Sequence, residues 1–434
     1  MTEARVTLED LTPVRKRLQV EIPAAAVQKE LDRAFQVVGS QARLRGFRPG
    51  KAPRRVVERV FGEQVRREVL GRLVEESFQD AIEEHRLAVV GTPEIDADPL
   101  APGEGIRYRA DVDVRPAIVL GDLGGLEAKR PAVAVADEDV DAVVGRLRES
   151  VAQLRPVEDR HVVEAGDVVS VDLTSRVEGA DPVHRDAVLL EAGAGTFALA
   201  LERQLVGQHR GARLTLQVPY PADYANPNLA GKTAEFDVEV KDIRSKELPP
   251  LDDDFARDHG RCESLAELRV RIRADLEQEA NERAEGAVRE QILEQLIARH
   301  PFEVPPSLVA RRADALIASL DLRLPKGTEG EQALNQLRAQ VSLRAERQVR
   351  AELLLDAIAA REGIAVTDAE VSAEIDAIAA REHQIVERVR ALYDRPEARA
   401  ALEARMVRDR ALARLLATAR IMPQSPSESV AHEK

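Results

Sequence analysis

The chain has a single cysteine among 434 residues, no tryptophan, and only 3% aromatic residues. One thiol, Cys262, cannot close an intrachain disulfide, which excludes a small secreted disulfide scaffold and fits a reducing compartment. With so few aromatics the cores must be built from Leu, Val, Ile and Ala. The same scarcity weakens any reading that needs stacking platforms for single-stranded nucleic acid. No run approaches the ~20 consecutive apolar residues of a membrane span. The opening stretch "MTEARVTLEDLTPVRKRL" alternates charged and apolar residues and lacks the apolar region of a signal peptide. These absences predict a cytoplasmic chain with no membrane partner.

Site motifs are also scarce. The eight histidines and Cys262 do not fall at metal-ligand spacings, so no metal is expected. No nucleophile-elbow motif occurs. "GFRPGKAP", residues 46–53, looks at first like a phosphate loop. That motif needs four residues before its Gly-Lys and then Ser or Thr for magnesium. Here only Phe47, Arg48 and Pro49 intervene and Ala52 follows, so a nucleotide site is rejected and no cofactor is expected. "GAG" at 193–195 reads as a turn.

Several domains are present rather than one, since single cores rarely grow beyond roughly 250–300 residues. The formal charge is −14, and it is unevenly spread. From Gln41 to Arg72 ten basic residues (nine Arg and Lys51) face only Glu58, Glu63 and Glu68, a net of +7. A basic patch on an acidic chain suggests one anionic partner met at one face. A solvated helix surface explains it equally well. Within this segment Pro49 fixes its own φ and pushes Arg48 toward an extended conformation. The loop is therefore stiff, which lowers the entropy cost of presenting Phe47 and Arg48 to a partner. The other reading folds Phe47 under the loop into its own domain, and both stand on the residues alone.

Periodicity predicts the elements. Residues 4–20 alternate as a strand with a break near Pro13. A helix begins near Pro23, with proline near its first position. A second begins at Pro53 with Val56, Val57, Val60 and Phe61 at helical spacing, is interrupted by Gly62, and resumes to about His85. Two strands follow in "LAVVGTPEIDAD" and "IRYRADVDVRP". Residues 116–150 read as a Gly/Pro-rich connector, an extended piece and a short amphipathic helix from about Asp137. Residues 162–244 are strand-like segments divided by Gly and Pro. The remainder is helical. It opens with some 35 residues from Ser264, where Ser264 and Glu267 form a capping-box pattern. Further helices are expected over about 307–324, 331–362, 368–385 and 397–420. Gly363 ends the second of these and Thr367 caps the third.

At the residue level "GFRPGKAP" resembles the ribosome-docking signature G-F-R-x-G-K-x-P of bacterial trigger factor. Gly46, Phe47, Arg48, Gly50, Lys51 and Pro53 match it, while Pro49 stands where family members often carry Lys. The resemblance spans nearly the whole chain, including "FEVPPSLV" and "GIAVTDAEVSAEI". It implies a multidomain α+β fold: an N-terminal α+β ribosome-docking domain (1–115) and a linker packing on the C-terminal domain (116–154). An FKBP-like β-rich peptidyl-prolyl isomerase domain (155–245), a C-terminal all-α SurA-like chaperone domain with helical arms (246–422) and a disordered tail (423–434) follow. The resemblance further implies an ATP-independent chaperone that meets nascent polypeptides at the tunnel exit of the large ribosomal subunit and assists folding and export. Gly46 to Lys51 and Pro53 would contact ribosomal protein and rRNA there, with Phe47 and Arg48 foremost. Unfolded polypeptides and, off the ribosome, a second copy of the chain complete the implied partners.

An isomerase of this type needs no acid, base or metal. A dry, aromatic-lined pocket favours the twisted amide over a rotation barrier of ~18–20 kcal/mol. By resemblance Leu173, Phe197, Tyr220, Tyr224 and Phe236 would line it. The segment "VPYPADYANPNLAGKTAEF" follows the family, but Leu173 replaces an expected Phe, "ALALE" stands for an "IPGFE"-like segment, and a second Phe near 182–183 is missing. Weak or absent prolyl isomerase activity is therefore expected. Two other readings remain: a full isomerase with a rebuilt pocket, and a nucleic-acid-binding or scaffolding protein using the basic loop and long helices.

Overall fold

The structure is a computed structural model and describes residues 4–42, 47, 51, 53–101, 103–177, 182–194, 199–220, 231–320, 322 and 327–424. The chain forms two compact bodies, Met1–Pro131 with Glu285–Lys434, and Ala132–Ala284. The architecture is multidomain α+β.

The first body begins with a hairpin, β1 (Arg5–Thr12) and β2 (Arg15–Ile22). The expected break near Pro13 is its turn. The Thr12 hydroxyl accepts the amides of Val14 and Arg15 there, at 3.2 and 3.1 Å. Helices α1 (Ala24–Gln41) and α2 (Arg54–Glu84) follow, then strands β3 (Val89–Ala97) and β4 (Ile106–Val114). The sheet order is β1-β2-β4-β3, all antiparallel. Leu18, Val20 and Ile22 alternate inward on β2, and Ile106, Tyr108, Ala110, Val112 and Val114 do so on β4. They meet Val27, Leu31 and Phe35 of α1 and Val57, Val65, Val69 and Leu73 of α2 in one core. The opposite sheet face carries cross-strand ion pairs such as Arg17–Asp111, bonded at 2.7 and 2.9 Å.

Two expectations need correction in this region. Pro23 and Pro53 are N-caps, one position before the first helical turn. Gly62 does not interrupt α2, which runs unbroken for 31 residues. A helical glycine costs only about 1 kcal/mol relative to alanine. The buried stripe of α2 outweighs that, because packing rather than propensity supplies most helix stability.

Strand β5 (Glu127–Arg130) lies in the connector. In the second body come α3 (Asp137–Ser150), β6 (Gln153–Pro156), β7 (Val168–Val177), β8 (Val183–Glu191), α4 (Leu199–Leu205), β9 (Arg213–Pro219) and β10 (Thr233–Glu247). The sheet runs β6-β10-β7-β8, and β9 also pairs with β10. Helix α4 covers one face with Leu201 and Leu205. Next are α5 (Asp253–Gly260) and the long α6 (Leu265–Arg299). Phe255, Cys262, Leu268 and Ile272 pack on Val140 and Val144 of α3. At the start of α6 the capping box is only half formed. Ser264 Oγ accepts the Glu267 amide at 3.2 Å, but the Glu267 carboxylate takes the amide of Glu263, not that of Ser264.

The later helices are α7 (Pro306–Ala318), α8 (Thr328–Glu362), α9 (Asp368–Arg381), α10 (Val386–Tyr393) and α11 (Pro396–Thr418), closed by β11 (Arg420–Pro423). Gly363 ends α8 with φ +63°, the left-handed cap glycine allows most readily. Thr367 and Glu370 form a full capping box on α9. Arg410 and the Thr367 donors hold the Glu370 carboxyl down to about 2. Several elements escaped the sequence reading: the short helix α4 inside the segment read as strands, the strands β6 and β11, and α10, which is only 8 residues long. Strand β11 extends to Pro423, the first residue of the expected tail. Residues 425–434 lie outside the described residues.

Strand β5 is held on both edges. Strand β11 pairs with it in parallel. On the other edge Gln291 and Gln295 of α6 exchange amide hydrogen bonds with the backbone of Lys129 and Glu127. Leu126 and Ala128 thereby enter a core with Ile292, Leu296, Leu354, Ile358 and Leu415.

A second clamp joins the N-terminal sheet to α7. The Ser307 amide donates to Asp113 Oδ2 at 2.8 Å, and its hydroxyl donates to the Val90 carbonyl at 3.3 Å. Gly91 lies beside it with φ +77°, and a Cβ there would come within 2.5 Å of Ser307 Cβ. Gly91→Ala is therefore expected to lower stability by about 1–3 kcal/mol, read as a fall in the urea midpoint. An unchanged midpoint would mean that this contact is not maintained in solution.

Candidate functional site

The connection between α1 and α2 carries the expected docking motif. Of its residues the structure describes Phe47, Lys51 and Pro53. Gly46, Arg48, Pro49 and Gly50 lie outside the described residues. Phe47 is 40% exposed, so its ring is not folded into the core beneath. The basic run divides into two groups. Arg54 is consumed internally: its guanidinium sits 5.6 Å over the Phe35 ring and binds Glu58 and Asp32. Those carboxylates raise its pKa, and Arg54 with Gln28 lowers that of Asp32. Arg72 and Arg67 are likewise paired, with Glu30 and Glu63. Lys51, Arg55 and Arg59 are exposed and form no ion pair among the described residues. Arg54 and Arg72 tie α2 to α1, and the unpaired cations leave a positive surface at and just before the start of α2.

In the β-rich body, Leu173 and Phe236 are both buried, at 3% and 4% exposure. Leu173 sits opposite Val238, and Phe236 opposite Ser175 and Leu216. The period-2 geometry of strands puts Leu173, Phe236 and Val238 on one face, under α4. Tyr220 packs partly buried against this cluster. Three of the five expected pocket residues thus share one hydrophobic core. Phe197 and Tyr224 lie outside the described residues. The start of β7 is fixed by a largely buried ion pair. Arg160 grips Asp167 with two bonds of 2.6 Å, and the Glu164 amide adds a third at 2.7 Å. Burial pushes the Asp167 carboxyl up, but these donors outweigh it and hold it below its ordinary value.

A cleft that sequence reasoning did not identify lies between α7 and α8, with a volume of about 540 Å³. Val304, Pro306, Val309, Ala313 and Ala339 give it apolar walls, and Arg338, Glu346 and Arg350 stand at its rim. Among the described residues no helix is long and apolar enough to cross a membrane, and no group of three or more His, Cys, Asp or Glu is placed to hold a metal.

This arrangement defines a multidomain α+β protein with a separate β-rich domain. Family models match along the chain: "Bacterial trigger factor protein (TF)" over residues 4–147, "FKBP-type peptidyl-prolyl cis-trans isomerase" over 160–241, and "Bacterial trigger factor protein (TF) C-terminus" over 264–417. The trigger factor of Geotalea daltonii is 34% identical over 424 residues, covering 96% of this chain and 98% of its own. That of Moorella thermoacetica is 37% identical over 386 residues, covering 86% of each. That of an Anaeromyxobacter species is 36% identical over 428 residues, covering 96% and 100%. The chain belongs to the bacterial trigger factor family.

Arg160→Ala would leave the Asp167 carboxylate buried without its partner. It is expected to destabilise the β-rich domain by about 3 kcal/mol, measured by urea unfolding of the full chain. The pair's contribution is present above the unfolded carboxylate pKa of ~3.9 and is lost as pH falls through the lower folded value. A wild-type midpoint in Arg160→Ala at neutral pH would contradict the assignment.

Proposed function

We propose that this chain is an ATP-independent chaperone of the cytoplasm that docks at the ribosomal tunnel exit through the α1–α2 tip. The observation that carries this reading is the half-exposed Phe47 ring beside Lys51, Arg55 and Arg59, whose charges no carboxylate neutralises among the described residues. An apolar anchor flanked by cations suits a surface made of protein and rRNA phosphate. Phe47 and Arg48 are the principal contacts, with Gly46, Pro49, Gly50, Lys51 and Pro53 shaping the loop. Pro49 substitutes stiffness for a charge, so docking leans on shape and on Phe47.

Nascent and unfolded polypeptides are the clients. They are held by apolar surface such as the α7–α8 cleft, and by exposed Leu343 and Ile385. Burial of apolar area at roughly 25 cal/mol per Å² drives such binding without sequence specificity or a nucleotide cycle. Off the ribosome the chain pairs with a second copy. The domain layout follows the family: docking domain to residue 115, linker to 154, isomerase domain to 245, helical chaperone domain to 422.

The isomerase pocket is built on Leu173, Phe197, Tyr220, Tyr224 and Phe236. It is a weak catalyst, because an aliphatic Leu173 replaces an aromatic wall and less of the twisted amide's surface is contacted. A protease-free prolyl peptide assay is expected to give slow catalysis, and efficient turnover would overturn that view. For docking, cosedimentation with bacterial ribosomes should fall about tenfold or more in Phe47→Ala/Arg48→Ala. Undiminished binding of the double variant would defeat the docking assignment.

A further inference from the structure

Between the β3–β4 end of the N-terminal sheet and helices α7, α8 and α11 lies a cavity of about 460 Å³. Four arginines line it, Arg115, Arg311, Arg312 and Arg408, against two carboxylates, Glu352 and Asp356. Asp356 is shared. Arg115 Nη1 approaches one of its oxygens at 3.5 Å and Arg408 Nη1 the other at 3.4 Å. Arg312 takes Glu352. Arg311 has no ion pair among the described residues. The lining therefore carries two positive charges more than it neutralises. Burial, reinforced by repulsion from Arg408 and Arg311, pushes the Arg312 guanidinium below its ordinary pKa. Like charges gathered in a partly enclosed site are costly unless an anion joins them. The remaining wall is apolar, with Leu308, Val349 and Leu353, and the volume falls in the range of small-molecule sites.

We infer that this cavity binds a small phosphate-bearing molecule, its phosphate on the arginine cluster and an apolar body against Val349 and Leu353. Charge selects the class. A phosphate monoester carries about 1.5–2 negative charges near neutral pH, which matches the excess of two, whereas a carboxylate brings one. Guanidinium forks suit the planar pairs of phosphate oxygens. The site lies within the first body, and it bridges elements that are distant in sequence. Its occupant would cross-link the N-terminal sheet to the helical arms.

The test is calorimetric titration of the full-length chain with phenyl phosphate at low ionic strength, where screening is weak. Saturable one-to-one binding is expected. Arg312→Gln should weaken it about tenfold, and Glu352→Gln, which frees Arg312 and adds net positive charge, should tighten it. Benzoate, with the same ring and one charge fewer, should bind at least about fivefold more weakly. Absence of saturable binding, equal binding of benzoate, or weakening by Glu352→Gln would each overturn the inference. So would a tenfold loss in Arg55→Gln/Arg59→Gln with Arg312→Gln unaffected, which would place phosphate binding on the docking tip.

Discussion

The backbone of Glu127–Arg130 is hydrogen-bonded on both edges by segments far away in the chain. Gln291 and Gln295, 162 and 168 residues from their partners, act as a strand made of side chains. Strand β11 completes the other edge. Four residues thus gather α6, α8 and α11 around Leu126 and Ala128. Each hydrogen bond contributes only about 1 kcal/mol net. Leaving the strand's amides and carbonyls unpaired beside a packed core would cost more than forming the bonds gains, so the connector has one place to go. The first compact body depends on that return, because it ties residues 1–131 to residues 285–434.

The Ser307–Gly91 clamp works in the same way at the other end of that body. A serine amide satisfied by Asp113, and its hydroxyl by the Val90 carbonyl, lock the start of α7 to the N-terminal sheet. The contact also helps to shape the arginine-lined cavity, since Val90 and Gly91 are part of its wall.

The functional regions divide by how their chemistry is distributed along the chain. The proposed docking motif lies within eight residues, so its composition is visible without coordinates. Which of the arginines after it are available was not visible, because Asp32 and Glu30 reach across from α1 to neutralise Arg54 and Arg72. That Leu173 and Phe236 face one core was legible through the strand pattern. The α7–α8 cleft and the cavity of Arg115, Arg311, Arg312 and Arg408 had no local signature.

Sequence by itself determined what is local. Period-2 alternation set β2 and β4, and helical spacing set α1, α2, α6 and α8. Pro13, Gly363 and Thr367 marked the turn and caps, because turns and caps are chemistry between residues close in sequence. Where the local signal was weak it misled: Gly62 looked like a break, and α10 fell in the gap left between two expected helices. Tertiary structure decided what depends on pairing across the chain. A strand of four residues such as β5 or β11 buries too little to declare itself, and an amide of Gln291 carries no mark of the backbone it will meet. Non-local contacts repay their ordering entropy only once the fold has closed around them. That is why the partners of β5, and the meeting of four arginines from three regions of the chain, are properties of the folded molecule alone.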